Sequence, residues 1–125
     1  MSYPSPHVCR MEKFFIFGKV ITYEDFLKLE LRVGKVVDAA SVEGSQKLIK
    51  LSVDFGKEQR TVLAGLAQYL KPEGFKDNKY IFVYNLEPKK MMGLESQGMI
   101  LAAGCGDTQK PIEAPEGAME GDTIK

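Results

Sequence analysis

The sequence predicts an all-β fold, a five-stranded Greek-key barrel of the OB-fold type. Five segments alternate apolar with polar residues or are rich in β-branched and aromatic residues, as half-buried strands are. One helix-like segment lies between the third strand and the fourth, which is the element order of an OB-fold. The first strand is long and contains Gly34, so a bulge or sharp bend there would let it serve both halves of a barrel. A β-sandwich is the second possibility, but five strands are few for two sheets.

A short N-terminal helix at residues 22–29 is expected before the first strand. Thr22 is followed three positions later by Asp25, which resembles a capping box at a helix start. From residue 31 the periodicity changes from helical to alternating. The residues expected on one face of the first strand, at 31–42, are Leu31, Val33, Val37 and Ala39.

The remaining strands are recognised from alternation and from the turn-forming residues between them. They are expected at residues 47–55, 59–65, 79–85 and 98–103. Between the third and fourth strands, a short helix at residues 66–70 is predicted to end before Pro72. Short strand-like pieces follow near residues 111–112 and 122–125.

The composition is that of one globular domain without a catalytic or metal-binding pattern. The 125 residues carry a formal net charge of zero, so any binding of nucleic acid must depend on local clustering of basic residues. The only histidine, His7, lies in the N-terminal head, and Cys9 and Cys105 form no metal-binding cluster. No nucleotide-binding or hydrolase motif is present. We therefore expect a non-catalytic binding module that needs no metal or other cofactor.

Three parts are expected along the chain. Residues 1–20 form an N-terminal extension, partly disordered because its start is rich in Pro and Ser. Residues 21–103 form the barrel, and residues 104–125 form a C-terminal extension whose apolar residues suit dimerisation. No apolar run approaches the roughly 18 residues of a membrane span. With so few cysteines, the chain is compatible with a reducing cytosol, and cytoplasmic localisation is expected.

The polar loop between the fourth and fifth strands is the best candidate for a binding site. Its sequence, NLEPKKMMGLESQG, places Lys89 and Lys90 before two methionines and a polar cluster at 95–98. OB-folds bind ligands on their second and third strands and in adjoining loops, and basic groups among amides and hydroxyls suit phosphate and ribose. Outward positions on the strands are expected to add Arg32, Lys50 and Arg60. The residues expected to bind RNA are Arg32, Lys47, Lys50, Arg60, Asn85, Lys89, Lys90, Ser96, Gln97 and Met99.

Some of these side chains also have a plainer interpretation. Scattered lysines such as Lys35, Lys50 and Lys76 usually serve solubility, whereas Lys89 and Lys90 belong to a structured loop, where function is favoured.

The aromatic residues of the fourth strand allow two interpretations. Tyr80, Phe82 and Tyr84 share one face of that strand and would suit stacking on bases, but such residues more often fill a core or an interface. Met99 is likewise either a core residue or a contact at the rim of the barrel.

Five short stretches together resemble one known family. They are Leu31-Arg32-Val33-Gly34, Ser45-Gln46-Lys47-Leu48, Val53-Asp54-Phe55-Gly56, Arg60-Thr61-Val62 and Glu95-Ser96-Gln97-Gly98-Met99. The similarity runs from about Tyr23 to Ala103 and is to the tRNA-binding OB-fold domain. That domain occurs at the C-terminus of many bacterial methionyl-tRNA synthetases and as a free-standing structure-specific tRNA-binding protein.

The resemblance implies binding to the outside of the L-shaped tRNA by shape, without reading of the anticodon. The chain would then be free-standing or the β subunit of a methionyl-tRNA synthetase, with that enzyme's catalytic subunit as a partner. Free-standing members of the family are dimers, so a homodimer is expected. One departure is Glu87, where the family usually has a basic residue before the proline. CsaA-like chaperones, which share the fold and are described as binding unfolded polypeptide, are the alternative, but they lack the Ser-x-Gly-Met signature found here at 96–99.

Overall fold

Antiparallel β-sheet is the main regular structure of the chain, as the alternating sequence predicts. The computed structural model describes residues 19–104 and 108–125. The predictions made for His7, Cys9, Cys105 and the disorder of the N-terminal head fall outside these residues. A helix, α1, covers Tyr23–Leu27, and a 3₁₀ turn covers Pro72–Gly74. The strands are β1 (Leu31–Ser41), β2 (Ile49–Asp54), β3 (Gln59–Ala64), β4 (Lys79–Val83), β5 (Lys89–Met91), β6 (Leu94–Ser96), β7 (Met99–Ile100), β8 (Ala102–Ala103), β9 (Lys110–Pro111) and β10 (Thr123–Ile124).

Five of these strands form a nearly closed barrel. Their order is β3-β2-β1-β4-β7, and each neighbouring pair is antiparallel. Residues 31–35 of β1 pair with β4, and residues 35–41 pair with β2. One long strand therefore serves both halves of the barrel, and the predicted OB-fold is confirmed.

The irregularity in β1 is a bulge beside Val37 and does not lie at Gly34, where the sequence suggested it. The register with β2 shifts directly after Val36. Because a bulge inserts one residue, the core-facing positions change from even to odd, and both Val36 and Ala39 contact the core. The sequence therefore predicts the core-facing residues of β1 correctly after the bulge, whereas before the bulge the opposite set of residues faces the core. Gly34 is needed for a different reason, which is lack of space: a Cβ at this position would lie 2.5 Å from Val53 Cγ1.

Alternate residues of β2 and the aromatic residues of β4 fill the core. Ile49 and Val53 are fully buried, while their neighbours in β2 that face outward are half-buried. Tyr80 and Phe82 belong to the same core, with 2% and 0% of their surface exposed. These two rings are therefore core residues and cannot stack on bases. Tyr84, which follows them on the same face, is half-buried.

The two helical segments are shorter than predicted. Thr22 caps α1, because its Oγ1 accepts a hydrogen bond from the Asp25 amide at 3.1 Å, but no residue of this helix is buried. The segment expected to be a short helix after β3 is only a turn, closed by a bond from Leu70 N to Leu66 O. The 3₁₀ turn begins afterwards at Pro72, whose fixed φ suits a first helical position. No helix among the described residues is long and apolar enough to cross a membrane.

Residues 108–125 pack along the barrel. β9 pairs with β8, and β10 pairs with the start of β1. The Val33 amide donates to the Asp122 carbonyl at 2.9 Å, and Val33 is 1% exposed although it lies outside the main core. Lys79 Nζ donates to the Ala118 carbonyl at 2.7 Å and lies 3.4 Å from the Glu120 carboxylate. The short strands predicted in this segment are present: β10 joins the sheet of the barrel, and β9 forms a separate two-stranded sheet with β8.

Candidate nucleic-acid interface

The segment between β4 and β7 contains a β-hairpin that the sequence did not reveal. β5 and β6 pair antiparallel, with Lys90 opposite Glu95. They are joined by Met92 and Gly93, whose φ angles of 52° and 77° are both positive, as a two-residue type I′ turn requires. The usual Asn-Gly or Asp-Gly signal for this turn is absent. The pattern therefore predicted only a loop.

The last residue of the hairpin and the residue after it attach the hairpin to the free edge of β3. Ser96 is 4% exposed, and its Oγ accepts from the Leu63 amide at 3.0 Å and donates to the Gly98 carbonyl at 3.1 Å. The Gln97 amide donates to the Thr61 carbonyl at 2.8 Å, and Gln97 Oε1 accepts from the Thr61 amide at 3.3 Å. These bonds fix the hairpin on the barrel. The Ser96 hydroxyl thus supports the loop and does not face solvent, where the sequence interpretation had placed it.

The tip of the hairpin meets the turn between β1 and β2. A Cβ built on Gly44 would lie 3.2 Å from Met92 Cε, so the methionine methyl packs against this glycine. The turn is also held by Ser45, whose Oγ accepts from the amides of Lys47 and Leu48 at 3.3 and 3.1 Å. The two loops that the sequence singled out therefore meet at one rim of the barrel, as expected.

Four of the predicted lysines lie on or beside this rim. Lys47 in the turn and Lys89 and Lys90 on the hairpin are exposed, while Lys50 is half-buried on the outer face of β2. No ion pair joins any of the four to another residue that the structure describes. Their ammonium groups are therefore not held in ion pairs within the described part of the chain. Met99 is 44% exposed, which places its side chain outside the core.

Arg32 and Arg60 lie at one end of the barrel interior, although the sequence suggested that they face outward. Arg32 is paired across the sheet with Phe82, and Arg60 with Val53. Because paired residues share a face, both arginines leave their strands on the core side. Their guanidinium carbons lie 5.2 and 3.6 Å from the centroid of the Tyr84 ring. The pair thus covers an end of the core through cation–π contacts.

Each arginine also has internal partners. Arg32 lies 2.5 Å from the Glu30 carboxylate, and its Nη1 donates to the Gly121 carbonyl at 2.8 Å. Arg60 Nε lies 2.7 Å from Glu58 Oε1, and Arg60 Nη1 donates to the Tyr84 carbonyl at 2.7 Å. The two side chains are 32% and 24% exposed. A phosphate would have to compete with these bonds.

The contacts around Tyr84 shift two ionisable groups. The Tyr84 hydroxyl, which donates to the Glu58 carboxylate, and then the Arg60 guanidinium hold the pKa of Glu58 below its ordinary value of 4.5. The same hydrogen bond, followed by burial, raises the pKa of Tyr84 above its ordinary value of 10.0. At neutral pH the carboxylate is ionised and the phenol is protonated, which keeps this cluster bonded.

Asn85 uses its side-chain amide to fasten the segment after α1. Its Oδ1 accepts from the Glu30 amide at 2.8 Å, and its Nδ2 donates to the Lys28 carbonyl at 2.7 Å. The predicted site residues therefore divide into two groups. Those bonded internally are Arg32, Arg60, Asn85, Ser96 and Gln97, and those that face outward are Lys47, Lys50, Lys89, Lys90 and Met99.

Acidic residues lie among the lysines of the rim. Glu43 precedes the turn glycine, Glu87 precedes the hairpin, and Glu95 is paired with Lys90, and all three glutamates are exposed. They lower the net positive charge of the surface. Among residues 19–104 and 108–125, no group of three or more His, Cys, Asp or Glu side chains is placed to hold a metal ion.

Comparison with known proteins places this geometry in a family. The model of the family described as "Putative tRNA binding domain" matches residues 31–123. A methionine–tRNA ligase of Caldanaerobacter subterraneus subsp. tengcongensis is 52% identical over 83 residues, which cover 66% of this chain but only 13% of the ligase. The chain therefore corresponds to a small part of that enzyme.

Two solved structures have the same fold over nearly their whole length. A MetRS-related protein from Pyrococcus horikoshii is 40% identical with a TM-score of 0.82, and the match covers 86% of this chain and 99% of that one. The CsaA chaperone protein from Picrophilus torridus is 31% identical with a TM-score of 0.77, covering 85% of this chain and 100% of that one. On these matches, this chain belongs to the tRNA binding domain family.

Proposed function

We propose that this protein binds tRNA through the rim formed by the hairpin and the turn at 43–47, and that it recognises the shape and backbone of the folded RNA. The observation that carries the proposal is a group of four lysines that form no ion pair with any described residue. Ammonium groups bind phosphates as point charges, so such lysines are available to an RNA backbone. The lysines are Lys47, Lys50, Lys89 and Lys90.

Binding on this surface is expected to be insensitive to the anticodon. The outward side chains of the rim are lysines and a methionine, which suit phosphate and ribose better than base edges. Tyr80 and Phe82 are buried, so β4 offers no pair of rings on which bases could stack. If all four lysines contact phosphates, the logarithm of the binding constant should fall linearly with the logarithm of the salt concentration, with a slope of about −3 to −4.

The proposed biological setting is the cytoplasmic translation machinery. The protein acts either alone or as the β subunit of a methionyl-tRNA synthetase, and does not itself catalyse aminoacylation. Similarity to a methionine–tRNA ligase and to a MetRS-related protein supports this assignment. As a subunit, it would increase the effective concentration of tRNA near a catalytic partner.

A homodimer is proposed from the apolar surface around α1. A cleft there is lined by this helix, the segment after it and the end of β10. Large apolar side chains are exposed along the cleft and in the two residues before Thr22, a pattern that usually marks an interaction surface. They are Val20, Ile21, Tyr23, Phe26, Leu27 and Leu29. We expect a second copy to cover them, and the C-terminal segment then takes part in dimerisation through β10.

A CsaA-like chaperone is the second candidate function. The same apolar cleft would suit an apolar stretch of unfolded polypeptide, and the likeness to a CsaA chaperone protein favours this reading. The lysines of the rim, which have no role in holding an apolar peptide, favour tRNA.

The two functions differ in ligand and in salt dependence. Binding should be measured for several tRNAs with different anticodons, for an unstructured RNA of equal length and for an unfolded apolar polypeptide, between about 50 and 200 mM salt. We expect the tRNAs to bind within a few-fold of one another, more tightly than the unstructured RNA and with a steep salt dependence. Preference for the polypeptide with little effect of salt would establish the chaperone function instead. Strong dependence on the anticodon would refute backbone recognition.

A further inference from the structure

Met92 occupies a backbone conformation that methionine does not favour. Its φ is 52°, and among the described residues the only other non-glycine residue with a positive φ is Asp77, at 68°. Asp and Asn tolerate this region because their short polar side chains can hydrogen-bond locally, whereas methionine gains nothing comparable. Asn-Gly would form the same hairpin turn with less strain. The turn alone therefore does not explain why this residue is a methionine.

The side chain of Met92 reaches from the hairpin to the neighbouring turn. Its Cε is the atom that a Cβ on Gly44 would approach to 3.2 Å, while 55% of the residue remains exposed. Methionine is long and unbranched, so it can span such a gap where Asn or Ala would fall short. Gly44, with φ of 84°, leaves the space for the methyl group.

This contact joins two parts that share no hydrogen bond or ion pair among the described residues. The turn is bonded to itself through Ser45 and to the barrel through the Lys47 carbonyl, which accepts from the Ala67 amide at 2.9 Å. The hairpin is bonded to β3. Among the described residues, no hydrogen bond or ion pair runs between residues 43–47 and residues 85–97.

We propose that Met92 is a positioning residue that holds the turn carrying Lys47 against the hairpin carrying Lys89 and Lys90. The three ammonium groups then face one RNA backbone in a fixed arrangement. The proposal rests on the proposed tRNA binding. It explains why a strained methionine stands where an unstrained asparagine would form the turn.

The test is a double-mutant cycle on tRNA affinity with Met92→Asn and Lys47→Ala. Met92→Asn keeps the turn but cannot reach Gly44. We expect this substitution to weaken tRNA binding about five- to tenfold, because the turn no longer holds Lys47 beside the hairpin. The salt slope should fall by about 0.7 to 0.9, the value for one lost phosphate contact. Adding Lys47→Ala should then weaken binding less than twofold further. Met119→Asn is the matched control, since Met119 is also exposed, at 60%, but lies in the C-terminal segment.

Each outcome decides a different point. Equal affinity and salt slope for wild type and Met92→Asn would overturn the proposal while leaving tRNA binding intact. Additive losses in the cycle would mean that Met92 contacts RNA itself, which also overturns positioning. Absence of tRNA binding by the wild type would instead refute the proposed function. If Met92→Asn does not fold, Gly44→Asn disturbs the same contact from the other side and should give the same non-additive loss with Lys47→Ala.

A measurement without RNA provides an independent check. Hydrogen exchange of the Ser45 and Leu48 amides, which are bonded within the turn, should accelerate in Met92→Asn. The Leu63 amide, bonded to Ser96, should keep its protection because the hairpin base is unchanged. Unchanged exchange in the turn would show that Met92 does not hold it.

Discussion

At Gly34, the barrel core leaves no room for even one more carbon atom. A Cβ there would lie 2.5 Å from Val53 Cγ1 and 2.7 Å from Phe55 Cε1, both in the fully packed interior. Gly34→Ala should therefore destabilise the fold by about 1–3 kcal/mol, as overpacking does, in urea unfolding. Gly65→Ala is the matched control, because nothing lies within 4 Å of a Cβ at that position. Equal stability of the two variants would contradict the close packing described for β1.

The cluster around Tyr84 predicts a dependence of stability on pH. The pKa of Glu58 is held below 4.5, first by the Tyr84 hydroxyl and then by Arg60, so the folded state favours the ionised carboxylate. Its contribution is complete above pH 4.5 and is lost as the pH falls through the lowered value. Glu58→Gln should therefore be less stable than wild type at pH 7, with a difference that narrows below pH 4.5. A difference in stability between Glu58→Gln and wild type that stays constant across this pH range would exclude the linkage.

At the scale of elements, the hairpin of β5 and β6 should supply much of the charge that binds RNA. Replacing both Lys89 and Lys90 by Ala should weaken tRNA binding and lower the salt slope by about 0.7 to 0.9 per lost phosphate contact. Stability should change by less than about 0.5 kcal/mol, because both side chains are exposed and unpaired among the described residues. Lys76→Ala with Lys110→Ala, two exposed lysines outside the rim, is the control and should have no effect. If affinity and slope both persist without Lys89 and Lys90, the rim is not the binding surface.

The attachment of the hairpin to β3 can be tested at Ser96. Ser96→Ala leaves the buried Leu63 amide without an acceptor, which should cost about 1–3 kcal/mol of stability. The affinity for tRNA should fall only to the extent that the hairpin is less firmly attached to β3. The salt slope should stay nearly unchanged, because no charge is removed. Ser41→Ala, at an exposed position of β1, should be neutral. Full stability combined with a large loss of affinity would mean that the Ser96 hydroxyl contacts RNA directly.

At the scale of the whole molecule, the exposed apolar surface of α1 predicts association. Leu27 is 56% exposed and no residue of the helix is buried, so a charge there would not disturb the folded chain itself. We expect wild type to sediment as a dimer at micromolar concentration and Leu27→Glu to sediment as a folded monomer. Glu24→Gln, on the same helix, should remain dimeric. A monomeric wild type that still binds tRNA would remove the dimer from this proposal.

Much of the fold follows from sequence alone, because it depends on local patterns. Alternation in β2 assigned Ile49 and Val53 to the core, and Thr22 marked the start of α1. The element order predicted the barrel, and the polar turn residues placed two loops that meet at one rim. The β5–β6 hairpin was missed because its turn, Met92-Gly93, lacks the usual residues.

Which basic residues face outward was decided only by the tertiary structure. Alternation along a strand distinguishes two faces but does not say which face is open at the end of a barrel. Arg32 and Arg60 leave their strands on the core side, where they meet Tyr84 from β4 and the carboxylates of Glu30 and Glu58. The four lysines of the rim carry the same charge, but the barrel leaves them without such partners among the described residues. Whether a cation is bonded internally or available to RNA depends on groups brought together from distant parts of the chain, and no local pattern encodes that proximity.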